Sequence, residues 1–202
     1  MNLERRAYNV ELRAEPDSNS ITGYAAVFDS LSEDLGGFRE IIRPGAFARS
    51  LEESPDVFAF YQHDSSKVLG RTTAGTLSVS EDDHGLRFEI TPPDGPTGRD
   101  ALEAVRRGDV TSMSFGFLVE QDRMLKQPDG TVLRELLDIH LLEVSPVTFP
   151  AYQATSAEVR SDLQARIEEL HDEPAQHPCH RDIDADLALL ELDLALLEAK
   201  PL

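Results

Sequence analysis

The chain has 202 residues, 40% of them hydrophobic, with 38 acidic against 19 basic side chains and a formal net charge of −19. That hydrophobic share is too high for a disordered chain, and the charge argues against a general binder of nucleic acid or anionic lipid, both of which need a positive surface. No stretch approaches the ~20 apolar residues of a membrane span, residues 1–6 lack the apolar run of a signal peptide, and the single cysteine, Cys179, cannot form an internal disulfide, so the chain reads as intracellular.

Taken in chain order, the first 155 residues read mostly as strands. Residues 6–13 alternate around Tyr8, Val10 and Leu12, and 21–28 carry Tyr24, Ala26 and Val27. Residues 38–43 are a short β-rich run stopped by Pro44-Gly45, and a helix is predicted over 45–53. Residues 56–63 (DVFAFYQH) read as a strand with three aromatics, opening into the polar loop Asp64-Ser65-Ser66. Leu77 and Val79 alternate over 75–80, and the turn 82–85 leads into Leu86, Phe88 and Ile90, a β-hairpin signal. A second helix is predicted over 98–107, with Leu102 and Val105 as its apolar stripe and Gly108 as its cap. Residues 111–120 and 131–144 are two more strands joined by the polar turn 127–130. Strands broken by isolated helices predict an α+β protein built on a closed or nearly closed β-barrel with flanking helices.

The C-terminal 156–202 differ in character. They hold 12 acidic and 4 basic residues, a charge of −8. Val159, Leu163, Ile167 and Leu170 have helical spacing over 155–171, residues 172–181 (DEPAQHPCHR) interrupt it, and Leu187, Leu190, Leu194 and Leu197 stripe a second helix over 183–197. The expected organisation is a body at 1–155 and an acidic helical tail at 156–202 with a proline-containing linker.

No P-loop, GxGxxG, HExxH or GxSxG is present. Three residues still stand out. His63 sits where a strand opens into a polar loop, which suits a general base as well as an ordinary surface histidine. Ser114 shares with Ser112 and Gly116 the small-residue face of a strand whose other face carries Met113, Phe115 and Phe117. It can act as a nucleophile if a histidine lies within reach, or simply belong to a face turned to water. Glu143 continues the apolar alternation Leu137, Ile139, Leu141, so it is either buried beside a partner or placed at a strand end in solvent. Asp138 and His140 lie on the opposite face by the same alternation and are its rivals. His177, Cys179 and His180 offer three metal donors within four residues, with His171 as a distant fourth, whereas structural zinc sites use two spaced pairs. No metal or other cofactor is expected. His84 reads as a turn residue and 107–109 as a helix-end turn.

These pieces also occur in a familiar order: GYAAVF (23–28), FREIIRPGAF (38–47), QHD (62–64), LGRTTAGTLSVSEDDHGLRFEI (69–90), RRGDVTSMSFGF (106–117) and LLEVSPVTFPAY (141–152). Together they resemble the prohead proteases of tailed bacteriophages, over about residues 8–155. The resemblance implies a serine endopeptidase related in fold to the herpesvirus assembly protease. It would act in the cytoplasm of a bacterial host, inside the assembling prohead, with the major capsid protein, scaffold segments and itself as substrates, and without nucleic acid or membrane as partner. It implies His63, Ser114 and Glu143 as the catalytic residues. The herpesvirus enzymes use a second histidine as third member, which keeps His140 in view, and Ser112 is a lesser rival to Ser114. Homo-oligomerisation is raised by the same relatives.

In that role His63 takes the Ser114 proton while Glu143 orients the imidazole. The tail then has two readings: a tether to scaffold or capsid protein, or a helix that packs on the body or self-associates. The tether predicts that deleting 172–202 spares peptidase activity but reduces incorporation into proheads. The alternative function is a non-catalytic capsid assembly or scaffolding protein that keeps the protease fold. A ligand-binding β-barrel ranks below both.

Overall fold

The computed structural model describes residues 3–9, 12–14, 19–53, 56–149 and 157–172. The linker after residue 172, the leucine-striped helix expected over 183–197, and His177, Cys179 and His180 lie outside the described residues. In chain order the strands are β1 (Glu4–Asn9), β2 (Ile21–Val27), β3 (Phe38–Ile42), β4 (Phe58–Tyr61), β5 (Asp64–Arg71), β6 (Leu77–Glu81), β7 (Gly85–Ile90), β8 (Ser112–Lys126) and β9 (Val132–Val147). The helices are α1 (Ala48–Glu52), α2 (Pro96–Arg106) and α3 (Ala157–Asp172).

The long antiparallel hairpin of β8 and β9 organises the body, pairing from Ser112 opposite Val147 to Lys126 opposite Val132. Around it a six-stranded sheet runs β1-β8-β9-β4-β5, with β3 also paired to β9, and β2-β7-β6 forms a separate three-stranded sheet. The α+β expectation therefore holds, but the expected barrel is not closed by hydrogen bonds among the described residues. Its edge strand β5 explains part of this. Ser65, Ser66 and Lys67 are exposed there, the polar character of an edge that stays unpaired.

The two sheets share one apolar core. Phe115, Phe117, Ile139, Leu141 and Val144 of the larger sheet cluster with Ile21, Ala26, Leu86, Phe88 and Ile90 of the smaller one. α2 adds Ala101, Leu102 and Val105 to that cluster. Pro96 begins this helix, where its missing N–H costs nothing. Gly108, at φ +75°, ends it: the Gly108 N–H donates to the Val105 carbonyl (3.0 Å) and the Asp109 N–H to that of Ala104 (2.8 Å). This is the Schellman pattern, and it needs a residue free to adopt left-handed geometry.

One edge of β9 faces β3 and β4 in succession. β3 runs parallel to it over Val132–Leu136, and β4 over Glu143 and Val144. Between these stretches the loop and helix around α1 supply acceptors for the backbone. The Ile139 N–H donates to the Ala46 carbonyl and the Leu141 N–H to the Ser50 hydroxyl, both at 3.0 Å. Buried amides that no strand covers are thus satisfied, which lets β9 depart from regular pairing here.

α3 packs Leu163 and Ile167 against Phe38 and Val132, and its Arg166 donates to both Asp122 oxygens at 2.7 and 3.0 Å. The compact unit accordingly includes α3 as far as Leu170. Asp122 also receives Arg134 at 2.6 Å. Arg134 and Arg6 in turn share the carboxylates of Glu4 and Glu40, and these four side chains are all at most 7% exposed. Among the described residues, no helix is long and apolar enough to cross a membrane.

Candidate active site

The pairing register decides which residues share a face. Ser112, Ser114 and Gly116 alternate along β8 and stand opposite Val147, Ser145 and Glu143 of β9. Phe115 stands opposite Val144, and Phe117 opposite Leu141. Two residues thus separate Leu141 from Val144 on β9 where only Gly116 separates Phe115 from Phe117 on β8. The extra residue is a β-bulge at Leu142. It moves Glu143 off the face of Ile139 and Leu141 and onto the face of Ser114, so the shared apolar face read from the sequence is corrected. The same step places His140, opposite Leu118, on the Ser114 side and not on the face opposite Glu143.

His63 comes from a different element than the sequence suggests. The strand read over 56–63 ends at Tyr61, and Tyr61 pairs with Asp64 across a two-residue hairpin loop, Gln62-His63. Both loop residues have φ +59°, the requirement of the tightest hairpin turns. Neither is a glycine, and each such conformation costs on the order of 1–3 kcal/mol. The loop is pinned in return. The Gln62 N–H donates to the Pro146 carbonyl (3.1 Å), its side-chain amide donates to Thr148 Oγ1 (2.7 Å), and its side-chain oxygen accepts the Thr148 N–H (3.1 Å). These contacts hook the His63 loop onto the end of β9.

From that position His63 Nδ1 lies 3.0 Å from Glu143 Oε1. The same oxygen accepts Arg5 Nε at 2.8 Å, and Glu143 Oε2 accepts the Ser145 hydroxyl at 2.9 Å. Glu143 is only 5% exposed. Burial alone would raise its pKa, but the hydrogen bonds from His63 and Arg5, the His63 charge and the Ser145 hydroxyl outweigh it and lower the value to about 2. The carboxyl is therefore ionised and can only accept. When the imidazole is neutral, its proton therefore sits on Nδ1 and Nε2 presents a lone pair.

That nitrogen and the Ser114 hydroxyl are both buried, and neither has a hydrogen-bond partner among the described residues. One is an acceptor and the other a donor. That is the complementarity a base and a nucleophile require. Ser112 is also buried, one alternation step further from Glu143. Asp138 is engaged elsewhere, accepting Arg49 Nε at 2.7 Å. Of the sequence-derived candidates, the fold brings His63 and Glu143 into contact and sets Ser114 on their face.

Three further residues shape the site, two of them, Ser145 and Arg5, outside the sequence reading. Ser145 and Arg5 bind the carboxylate, and Gly116 makes room for it: a Cβ there would lie 2.7 Å from Glu143 Cγ and 2.9 Å from its Oε1. Gly116 was legible as part of a small-residue face. Arg5, 138 residues away in sequence from Glu143, left no local signal. Among the described residues, no group of three or more His, Cys, Asp or Glu side chains is arranged to hold a metal ion.

The family model described as caudovirus prohead serine protease aligns with residues 7–169. Curated protein sequences returned no match. Among solved structures, the bacteriophage T4 capsid assembly protease, gp21, is similar at 10% identity and a TM-score of 0.47, over 74% of this chain and 98% of that one.

Proposed function

The chain belongs to the family of caudovirus prohead serine proteases, and from that premise we propose that it is a serine endopeptidase that cuts capsid-protein and scaffold segments, and itself, inside the assembling prohead. Ser114 is the nucleophile, His63 the general base and Glu143 the group that orients it. The observation that carries this reading is the 3.0 Å contact between His63 Nδ1 and an ionised, buried Glu143, on the face that holds Ser114.

The chemistry follows from that arrangement. Glu143 holds the proton on Nδ1, which leaves Nε2 free to accept. As a peptide carbonyl settles over the small-residue face, Ser114 Oγ adds to its carbon and gives its proton to Nε2. The imidazolium that forms is stabilised by the Glu143 carboxylate, and it then hands the proton to the departing amine. Water, activated by the same nitrogen, releases the acyl group and restores the hydroxyl.

The test is the intact mass of the chain and its cognate capsid protein after co-expression, for wild type, Ser114→Ala and Ser112→Ala. Discrete cleavage in wild type and Ser112→Ala that is abolished by Ser114→Ala is the expected result. Cleavage that survives Ser114→Ala but not Ser112→Ala moves the nucleophile two residues back. Capsid assembly with no cleavage in any of the three overturns the enzymatic reading.

A further inference from the structure

Arg5, Gly116, Glu143 and Phe58 occupy one row across β1, β8, β9 and β4. Arg5 and Glu143 are two strands apart, a backbone separation of about 10 Å. Their side chains nonetheless meet, with Arg5 Nε 2.8 Å from Glu143 Oε1. They can do so because β8 places a glycine between them: any Cβ at position 116 would sit within 3 Å of the Glu143 side chain. Arg5 is about one-third exposed and Glu143 is buried, so the pair is partly withdrawn from water. A buried pair of this kind is sensitive to the loss of either partner.

We infer that Arg5 is a positioning residue of the catalytic site, and that β1 is for this reason a working part of the peptidase. The inference rests on the assignment of His63, Ser114 and Glu143 given above. Arg5 and His63 Nδ1 share a single carboxylate oxygen, so Arg5 fixes the direction from which that oxygen faces the imidazole. Ser145 fixes the other oxygen. The carboxylate is then held from β1 on one side and from its own strand on the other, and its remaining direction points at His63.

Arg5 also solves a charge problem. A base must be neutral to accept a proton, so in that form of His63 the cation that balances the buried carboxylate has to come from elsewhere. Arg5 supplies it, and leaves the imidazole free for Ser114. The arginine acts through Glu143 and touches neither substrate nor reacting atoms.

Two measurements test this. In the active enzyme, Arg5→Ala is expected to lower kcat roughly ten- to hundredfold with KM nearly unchanged, since a small misplacement of the base acts on the chemical step, and Arg5→Lys to recover part of the loss. In the Ser114→Ala background, where no turnover is needed, the low-field proton resonance of His63 Nδ1–H reports the hydrogen bond to Glu143. It is expected in Ser114→Ala, shifted upfield or broadened when Arg5→Ala is added, and largely retained with Arg5→Lys. An unchanged kcat, or an unchanged resonance in Arg5→Ala, overturns the inference. A loss of activity that only tracks loss of folded protein does so too, and a Ser114→Ala protein with no such resonance removes its basis. Failure of the catalytic assignment itself appears separately, as cleavage that persists in Ser114→Ala.

Discussion

Adding one methyl group at Gly116 should disable the site while leaving the fold standing. The Cβ of Gly116→Ala would lie 2.7 Å from Glu143 Cγ, 2.9 Å from Oε1 and 3.3 Å from Cδ. Carbon atoms pack at about 3.5–4.0 Å, so the glutamate must withdraw by close to an ångström. It cannot do so freely, because His63, Arg5 and Ser145 all hold its carboxylate. Overpacking of this kind costs about 1–3 kcal/mol, and in a domain of this size 2 kcal/mol lowers Tm by about 4–8 °C. The functional effect is larger in proportion. An ångström of misplacement in a catalytic group lowers kcat on the order of a hundredfold. The assay pairs thermal denaturation with initial rates of capsid-protein cleavage for wild type and Gly116→Ala. Wild-type Tm together with a kcat within about twofold of wild type would refute the reasoning, since it would mean that Glu143 can move without consequence to the base it orients.

Glu143→Gln preserves shape but permits the wrong tautomer of His63, and kcat should fall by roughly 10⁴ with the protein still folded; retention of most activity would shift the third role to another residue. The depressed pKa of Glu143 also predicts a pH signature. Its folded value, about 2, lies below the 4.5 of an ordinary glutamate, so the stabilisation it brings is present above pH 4.5 and is lost as pH falls toward 2. The difference in unfolding free energy between wild type and Glu143→Gln, measured by denaturant titration at several pH values, should narrow by about 3 kcal/mol over that window; a constant difference contradicts it. Arg134→Met leaves Glu4 and Glu40 with Arg6 as their shared cation and takes one arginine from Asp122. Removing one member of so buried a network should cost about 3–5 kcal/mol, read as a lower denaturation midpoint, and an unchanged midpoint would show that the network contributes little.

The sequence was most readable where alternation and turn chemistry agree. The hairpin of β6 and β7, the helix α2 with its Gly108 cap, and the core face of Met113, Phe115 and Phe117 lie close to where periodicity puts them. β5 was missed because Asp64, Ser65, Ser66 and Lys67 look like loop, when they are the start of an edge strand, exposed from Ser65 onward. The His63 turn was misplaced for a related reason: Gln-His carries none of the Asn-Gly chemistry by which tight hairpins are recognised. Its left-handed geometry is imposed by Pro146 and Thr148, which are 84 and 86 residues away from Gln62.

The bulge at Leu142 is the most instructive miss, because its signal was present. Residues 137, 139 and 141 are apolar, and so is 144, with an adjacent leucine pair at 141–142 between the two phases. A regular strand cannot bury both Leu141 and Val144 on one face, yet both are fully buried. The change of phase required an extra residue, and that residue carries Glu143 across the sheet to His63. Reading the alternation as unbroken placed the carboxylate among Leu137, Ile139 and Leu141, where it looked like an anomaly in need of a partner. The same hydrophobic pattern, followed one step further to Val144, would have placed it beside Ser114. Arg5 admits no such rescue. Its contact depends on the pairing of β1 with β8 and on the absence of a side chain at Gly116, and no pattern within the first ten residues encodes either one.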